Sequence, residues 1–192
     1  MINLFKNQKG FTLAEIVVVI GIFVLIVILV LSIYMLSQKA YFLGDNKAEI
    51  DQNGRIAFDR LSREIRQTKE IVTQLPETDD DQDFPPANEI MFEDGHDSTE
   101  LNYIRYHLIG TNLMRQVLYY YFSGDPDTHV VWDAKDEGGY SPIEMEVEDR
   151  LIGEYFDILE FYQPGAVNIY AKLTKNTYHL YLNTKIFGRN LR

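Results

Sequence analysis

The dominant pattern in the sequence is a long apolar run near the N-terminus. Residues 16–31 contain no polar side chain, and the apolar character continues as far as Leu36. A helix needs about 20 mostly apolar residues to cross a bilayer. Residues 11–31 meet that length, with Thr12 and Glu15 as the polar exceptions. The pattern therefore predicts a membrane-spanning helix.

The charges around this run predict its orientation. Lys6 and Lys9 precede it without any acidic residue, whereas the lysines that follow it are mixed with aspartate and glutamate. The positive-inside rule then favours a cytoplasmic N-terminus and an extracytoplasmic C-terminal part, as a single-pass protein of the inner membrane. A cleaved secretory signal would have a shorter apolar stretch and a small-residue cleavage site, which the following residues do not supply. A retained signal anchor is the alternative.

Beyond Gln38 the apolar residues recur at spacings of three and four, which is typical of one helix face. This pattern predicts an amphipathic helix over residues 38–75, closed by Pro76. Two glycines inside it, Gly44 and Gly54, predict close packing against a sheet or a break in the helix. Charged residues four apart predict ion pairs along the same helix: Asp51–Arg55, Asp59–Arg63 and Arg60–Glu64.

The remaining residues, 76–192, alternate between apolar and polar positions in short runs separated by turn residues. Period-two alternation with β-branched and aromatic residues predicts half-buried strands. The predicted strands cover residues 89–92, 101–109, 112–122, 129–132, 144–147, 156–162, 167–173 and 178–186. A long helix followed by consecutive strands predicts an α+β fold, with one meander-like antiparallel sheet packed on the helix. We interpret residues 125–127 and 133–139 as turns.

The composition is that of a folding chain. Of 192 residues, 46% are hydrophobic and 24% are charged, which argues against a wholly disordered or collagen-like protein. The sequence has no cysteine, so disulfides, cysteine-based zinc sites and thiol nucleophiles are excluded. A formal net charge of −11 argues against nucleic acid as a partner, because counterion release requires Lys and Arg side chains aimed at phosphates.

Side chains that could carry chemistry are scattered through the C-terminal part. None of the four histidines has a metal-binding spacing, and no phosphate-binding loop or nucleophile elbow is present. We therefore expect no enzyme activity, no catalytic residue and no cofactor. Carboxylates in an acidic loop form a candidate calcium site, although a solvated loop without metal is the preferred interpretation. The candidate ligands are Asp79, Asp80, Asp81 and Asp83.

The start of the apolar run carries a motif, Lys-Gly-Phe-Thr-Leu-Ala-Glu, at residues 9–15. This motif, followed by a Val, Ile and Leu run, resembles the N-terminal signature of type IV pilins and pilin-like proteins. The resemblance implies that a prepilin peptidase cuts between Gly10 and Phe11 and methylates the new amine of Phe11. It also implies a role in recognition and assembly for the residues of the motif: Lys9, Thr12, Leu13 and Glu15.

Glu15 is the most informative residue of the motif. A carboxylate within a membrane segment costs about 3 kcal/mol on insertion scales, so its presence indicates a function, unless it lies close enough to the interface to stay hydrated. The resemblance implies that Glu15 pairs with the N-terminal amine of a neighbouring subunit during assembly. Such a pair would set the register, since a subunit out of step would bury an unpaired charge.

A second segment, residues 52–68, resembles the helix that leads into the head domain of larger minor pilins and of J-type minor pseudopilins of type II secretion. Its arginines are most simply a solvated or salt-bridged face, and docking of a partner is the alternative. The whole chain then divides into a leader peptide over residues 1–10, a filament-core helix over 11–37, an amphipathic helix over 38–75 and a β-rich head over 76–192.

The predicted function is that of a structural subunit of a type IV pilus or a type II secretion-like filament. Its predicted partners are the prepilin peptidase, other pilin or pseudopilin subunits, an inner-membrane assembly platform and membrane lipid. The sequence does not separate pilus, secretion and DNA-uptake systems. Two alternatives stay open: a signal-anchored surface binding protein that is not assembled into a filament, and a secreted enzyme.

Overall fold

The computed structural model describes residues 10–80, 82–96, 100–163 and 166–188. The chain forms two compact units, Met1–Asp45 and Asn46–Arg192. The four-part division of the sequence stays a prediction. The predicted α+β class is confirmed, since one long helix is followed by antiparallel strands. The elements are α1 Leu13–Gln67, β1 Ile90–Glu93, β2 Tyr103–Ile109, β3 Asn112–Phe122, β4 Asp125–Val130, β5 Ile143–Gly153, β6 Phe156–Tyr162, β7 Val167–Lys175 and β8 Tyr178–Ile186.

Helix α1 ends at Gln67, so the prediction that it continues to residue 75 is wrong. The backbone beyond it finds partners in strand β1 instead of in the helix. Val72 and the following residue both donate their N–H to the carbonyl of Met91, at 2.8 and 3.2 Å. The buried Thr68 places its Oγ1 within 2.9 Å of the Glu70 carbonyl and 2.8 Å of the Glu93 carbonyl. These bonds compete with the helix, and the sequence shows only that the helix cannot pass Pro76.

The strands form two antiparallel sheets, and not the single meander predicted from the sequence. The first has the order β1-β2-β3-β4, with β5 paired to the other edge of β3, and the second has the order β6-β7-β8. The two sheets separate where the chain leaves β5. Phe156 begins β6 and donates its N–H to the Thr111 carbonyl, and the preceding Tyr155 adopts a positive φ of 72° that redirects the backbone.

Two hairpin turns lie in the gaps between the predicted strands. Gly110 lies between β2 and β3 with φ 63°, and Asn176 lies between β7 and β8 with φ 55°. Glycine and asparagine are the residues that best tolerate this left-handed conformation. The run at Asp125–Val130, interpreted in part as a turn, is instead strand β4. It pairs with the end of β3, with a register shift between Tyr120 and Phe122.

The hydrophobic core lies between the C-terminal part of α1 and the inner faces of both sheets. One face of the helix is buried there, and it carries Ile50, Gly54, Ala57, Leu61 and Ile65. The sheets contribute buried aromatic and aliphatic residues: Ile90, Phe92, Ile104, Tyr106, Leu113, Phe156, Leu159, Phe161, Val167, Ile169, Ala171, Leu173 and Ile186. The predicted helical stripe is therefore confirmed as far as Ile65.

The two glycines of the helix have different surroundings. A Cβ on Gly54 would lie 2.7 Å from Leu182 Cδ1 and 3.2 Å from Leu180 Cδ2, so this glycine allows the helix to approach β8 closely. A Cβ on Gly44 would meet no atom within 4 Å. The predicted close packing is confirmed for Gly54 and is wrong for Gly44, where α1 continues without a break.

Candidate functional site

The residues of the predicted cleavage site are exposed at the start of helix α1. Phe11 and Leu13 leave 81% and 82% of their surface accessible. Gly10 has an ordinary backbone conformation, and a Cβ added to it would meet no atom within 4 Å. The described residues therefore do not require glycine at this position. An enzyme whose cleft approaches the backbone closely would explain why residue 10 is a glycine.

Thr12 and Glu15 form a capping box at the first turn of α1. Glu15 Oε2 accepts hydrogen bonds from the Thr12 N–H at 2.8 Å and from Thr12 Oγ1 at 3.0 Å. The N–H of Glu15 in turn donates to Thr12 Oγ1 at 3.3 Å. A Ser or Thr followed three residues later by Glu satisfies two otherwise unpaired N–H groups in this way. The resemblance to pilins implies pairing of Glu15 with a neighbouring subunit, and this capping role of the carboxylate was not predicted from the sequence.

The first part of α1 is suited to a lipid environment. It is the one helix among the described residues that is long and apolar enough to cross a membrane, and none of its most apolar window is buried within the protein. Its polar side chains are satisfied within the helix itself. Ser32 Oγ donates to the Ile28 carbonyl at 2.8 Å, and Gln38 Nε2 donates to Tyr34 Oη at 2.6 Å. Such bonds avoid unpaired polar groups in hydrocarbon.

A shallow groove of about 400 Å³ runs along the same end of the helix. Its lining residues are Phe11, Ala14, Glu15, Val18 and Val19. Glu15 contributes the single charge of this lining, so a cationic group placed in the groove would meet one carboxylate among apolar side chains. A charge pair there would be stronger than one in water once lipid or another helix covers the groove, because little solvent would then screen it.

Other predicted site residues are not brought together. Lys9 and Asp81 lie outside the described residues. Asp79 and Asp80 are exposed in the loop that follows Pro76. Within the described ranges, no group of three or more histidine, aspartate or glutamate side chains is arranged to hold a metal ion. The arrangement of the described residues therefore does not support a calcium site in this loop, which stays a prediction.

A polar network between α1 and the first sheet was not predicted. Arg115 is only 7% exposed, and its Nε lies 3.0 and 3.1 Å from the two carboxylate oxygens of Glu64. Tyr106 Oη donates to the same carboxylate at 2.6 Å, and Arg115 Nη1 donates to Glu148 at 3.1 Å. Burial and the adjacent Glu64 charge raise the pKa of Tyr106, so its hydroxyl stays protonated. The network fixes the helix to β2, β3 and β5.

A second unpredicted group ties α1 to the second sheet. Tyr155 Oη donates to Glu49 at 2.6 Å, and Lys175 forms an ion pair with the same carboxylate while its Nζ lies 4.7 Å above the Tyr155 ring. Hydrogen bonds from Lys175 and then from Tyr155 lower the pKa of Glu49. The bond to Glu49 raises the pKa of both Tyr155 and Lys175. A pattern search along the sequence cannot find partners more than a hundred residues apart.

The fold and the capped, exposed start of α1 define a class: a membrane-anchor helix followed by a β-rich head. The family model of the prokaryotic N-terminal methylation motif matches residues 5–31, so the chain carries the type IV pilin-like signature. This match supports a pilin-like protein that is processed by a prepilin peptidase, anchored in a membrane and assembled with other pilins. Proteins with this signature are structural and not enzymatic. No curated protein and no solved structure matches the chain.

Proposed function

We propose that this chain is a minor pilin or pseudopilin, a structural subunit of a type IV pilus or a type II secretion-like filament. One observation carries the proposal: the methylation motif coincides with a capped helix start whose apolar surface is exposed along its whole first part. A soluble protein would bury such a surface, since it is far larger than the patches that monomers expose. Lipid covers it in the precursor, and the helices of neighbouring subunits cover it in the filament.

Processing takes place between Gly10 and Phe11. The exposure of both residues, and the open space around Gly10, support access by a peptidase. Cleavage removes Lys6 and Lys9 and none of the acidic residues, so the mature chain is more acidic than the precursor. Lys9, Thr12 and Leu13 serve in recognition by the enzyme, which then methylates the amine of Phe11.

Assembly depends on the carboxylate of Glu15. In the proposed filament it accepts the charged amine of a neighbouring subunit's Phe11, in apolar surroundings where each charge alone would be costly. The groove along Phe11 and Val18 supports this role, because it offers a single carboxylate within an apolar lining. The assembly platform of the inner membrane draws the subunit out of the bilayer, and the head stays outside the cytoplasm.

The first test is the intact mass of the protein isolated from its own cells, with fragmentation of its N-terminus. We expect a chain that begins at Phe11 and carries one extra methyl group. A chain that begins at Met1 would favour the retained signal anchor. A chain that begins beyond Leu36 would show a secreted protein, and either result would refute the proposal.

A second test separates the capping role of Glu15 from its role in assembly. Glu15→Gln removes the charge but keeps a residue that serves in a capping box, whereas Glu15→Val removes both. Thr12→Val removes the capping hydroxyl and keeps the carboxylate. Thr12 is also proposed to serve in recognition by the peptidase, so only processed chains are compared. Among these, we expect both Glu15 variants to be lost from the sheared filament fraction and Thr12→Val to remain in it. Incorporation of Glu15→Gln at the wild-type level would refute the proposed charge pairing.

A further inference from the structure

A basic groove lies between α1 and strand β8 in the head unit. Its volume is about 370 Å³, and it is open to solvent along the helix. Its lining consists of three arginines, one aspartate, one aromatic ring and two hydroxyl side chains: Arg55, Arg63, Arg66, Asp59, Phe58, Ser62 and Thr184. Such a concentration of arginine is unexpected in a chain whose net charge is −11.

Two of the three arginines lack a partner in the part of the chain that the structure describes. Arg63 forms an ion pair with Asp59. The predicted pair of Arg55 with Asp51 does not form, and Arg66 has neither an ion pair nor a hydrogen bond with any described residue. The groove therefore carries two guanidinium groups that no carboxylate of the described residues neutralises.

The chemistry of the groove suits carboxylates. Guanidinium groups bind carboxylates through two parallel hydrogen bonds, and Ser62 and Thr184 add hydroxyl donors beside them. A phosphate polymer would need a longer basic track to release counterions, and a lipid surface is usually bound by clusters of four to eight basic residues. Two unpaired arginines match a short acidic peptide better than either of these.

The chain itself contains a segment of that kind. Glu77, Asp79 and Asp80 are exposed in the loop after α1, without an ion pair to any described residue. The start of the loop is fixed, because the Pro76 carbonyl accepts the N–H of Gln163 at 2.8 Å. The carboxylates thus lie near the end of β6, at one edge of the second sheet. The groove lies beside β8, at the other edge of the same sheet.

We infer that the groove of one subunit binds the acidic loop, residues 77–80, of a second copy of this chain. Groove and loop are different surfaces, so the contact is heterologous, and repetition of it produces an open assembly and not a closed dimer. The inference rests on the proposed filament function and adds a contact between heads. Two copies with the same negative net charge repel each other, but physiological salt screens this repulsion beyond about 8 Å. A local pair of opposite charges can therefore still hold two heads together.

Cysteine cross-linking tests the contact, since the natural sequence has no cysteine. We would place Ser62→Cys in the groove and Thr78→Cys in the loop of the full chain, and oxidise intact cells that produce it. The double variant should form a ladder of dimers, trimers and longer products. Each single variant should form no ladder, and two single variants produced together should form dimers.

Charge reversal then tests the chemistry of the contact. In the double-cysteine chain, Arg66→Glu should lower the cross-linked fraction by about tenfold, and adding Asp79→Arg should restore it. Arg150→Glu is the matched control, because Arg150 is an exposed arginine on β5 outside the groove, and it should leave the ladder unchanged. Circular dichroism of each variant verifies that the head is folded.

Three results would overturn the inference. The first is the absence of a ladder from a chain that is processed and incorporated, and the second is cross-linking only to a different protein. The third is that Arg66→Glu mainly lowers binding to vesicles with 30% anionic lipid. Processing at Phe11 and incorporation are measured in the same samples. If both are present without a ladder, only the head contact fails. If both are absent, the proposed function fails with it.

Discussion

The two parts of helix α1 have the same backbone conformation and opposite burial. The part that precedes Asn46 exposes nearly every large apolar side chain. The polar side chains of Glu15, Ser32 and Gln38 form hydrogen bonds within the helix itself. The part from Asn46 to Gln67 buries a narrow apolar face and reaches outward with Glu49 and Glu64 to form polar contacts with strands distant in sequence.

The contrast shows that a change in the hydrophobic pattern along a helix marks a change in its surroundings, and not the end of the helix. A uniformly apolar segment has no preferred side, so its partner must surround it, as lipid or a bundle of identical helices does. An amphipathic segment has one preferred side, which the sheets cover. The following predictions test this difference, starting with the largest effect.

The largest effect is expected at Gly10, where we propose that the peptidase requires the glycine. Gly10→Val should abolish processing and leave a precursor that begins at Met1. Gly44→Val is the matched control, since a side chain there also meets no atom within 4 Å, and it should be processed normally. Intact mass spectrometry measures both. Normal processing of Gly10→Val would show that the glycine has no such role.

A smaller but clear effect is expected in the ion network of the head. Arg115→Met leaves Glu64 partly buried with fewer partners, and it should lower the free energy of unfolding by about 2–3 kcal/mol. Arg150→Met should change it by less than about 0.5 kcal/mol, because Arg150 is exposed and lies 3.8 Å from Glu148. Urea unfolding in detergent, followed by the fluorescence of the single Trp132, reports on the head alone. Equal effects of the two variants would contradict the assigned network.

A similar loss is expected where the helix approaches β8. Gly54→Val places a branched side chain against Leu182 and Leu180 and should lower the unfolding free energy by about 1–3 kcal/mol. Gln52→Val introduces the same side chain at an exposed position of the same helix and should cost about 0.5 kcal/mol or less. The same fluorescence experiment compares the two. Stability of Gly54→Val equal to that of Gln52→Val would show that the close approach is not required.

The smallest effect is expected at Glu49. Because its pKa is lowered in the folded head, its contribution to stability is present above pH 4.5 and is lost as the pH falls through the folded pKa. Glu49→Gln should therefore melt at a lower temperature than the wild type at pH 7, and the difference should shrink as the pH falls below 4.5. A difference that does not change with pH would show that the charge of Glu49 contributes nothing.

Local patterns predicted much of this fold. The predicted bounds of β3, β6 and β8 agree with the structure, because each run of apolar and aromatic residues ends two residues before a glycine or proline. The start of α1 follows from the motif itself. These features depend on neighbours within a few residues, which a single sequence displays directly.

Features that depend on distant residues were missed. The end of α1 depends on hydrogen bonds from residues after Gln67 to strand β1, and the split into two sheets depends on the backbone of Tyr155. Arg115 lies in a strand pattern that gives no sign of its partner on the helix. For the candidate site, the motif identified the residues around Gly10, while the capping bonds of Glu15 required coordinates.

The capping box has a consequence for the timing of maturation. Among the described residues, the bonds that start α1 lie within Thr12, Glu15 and Ile16, all on the C-terminal side of the proposed cut. These bonds do not depend on the leader, so its removal leaves them in place. We therefore expect the precursor and the mature subunit to share the first turn of the helix. The proposed cleavage would then change the charge and chemistry of the chain end while the membrane segment keeps the form in which it was inserted.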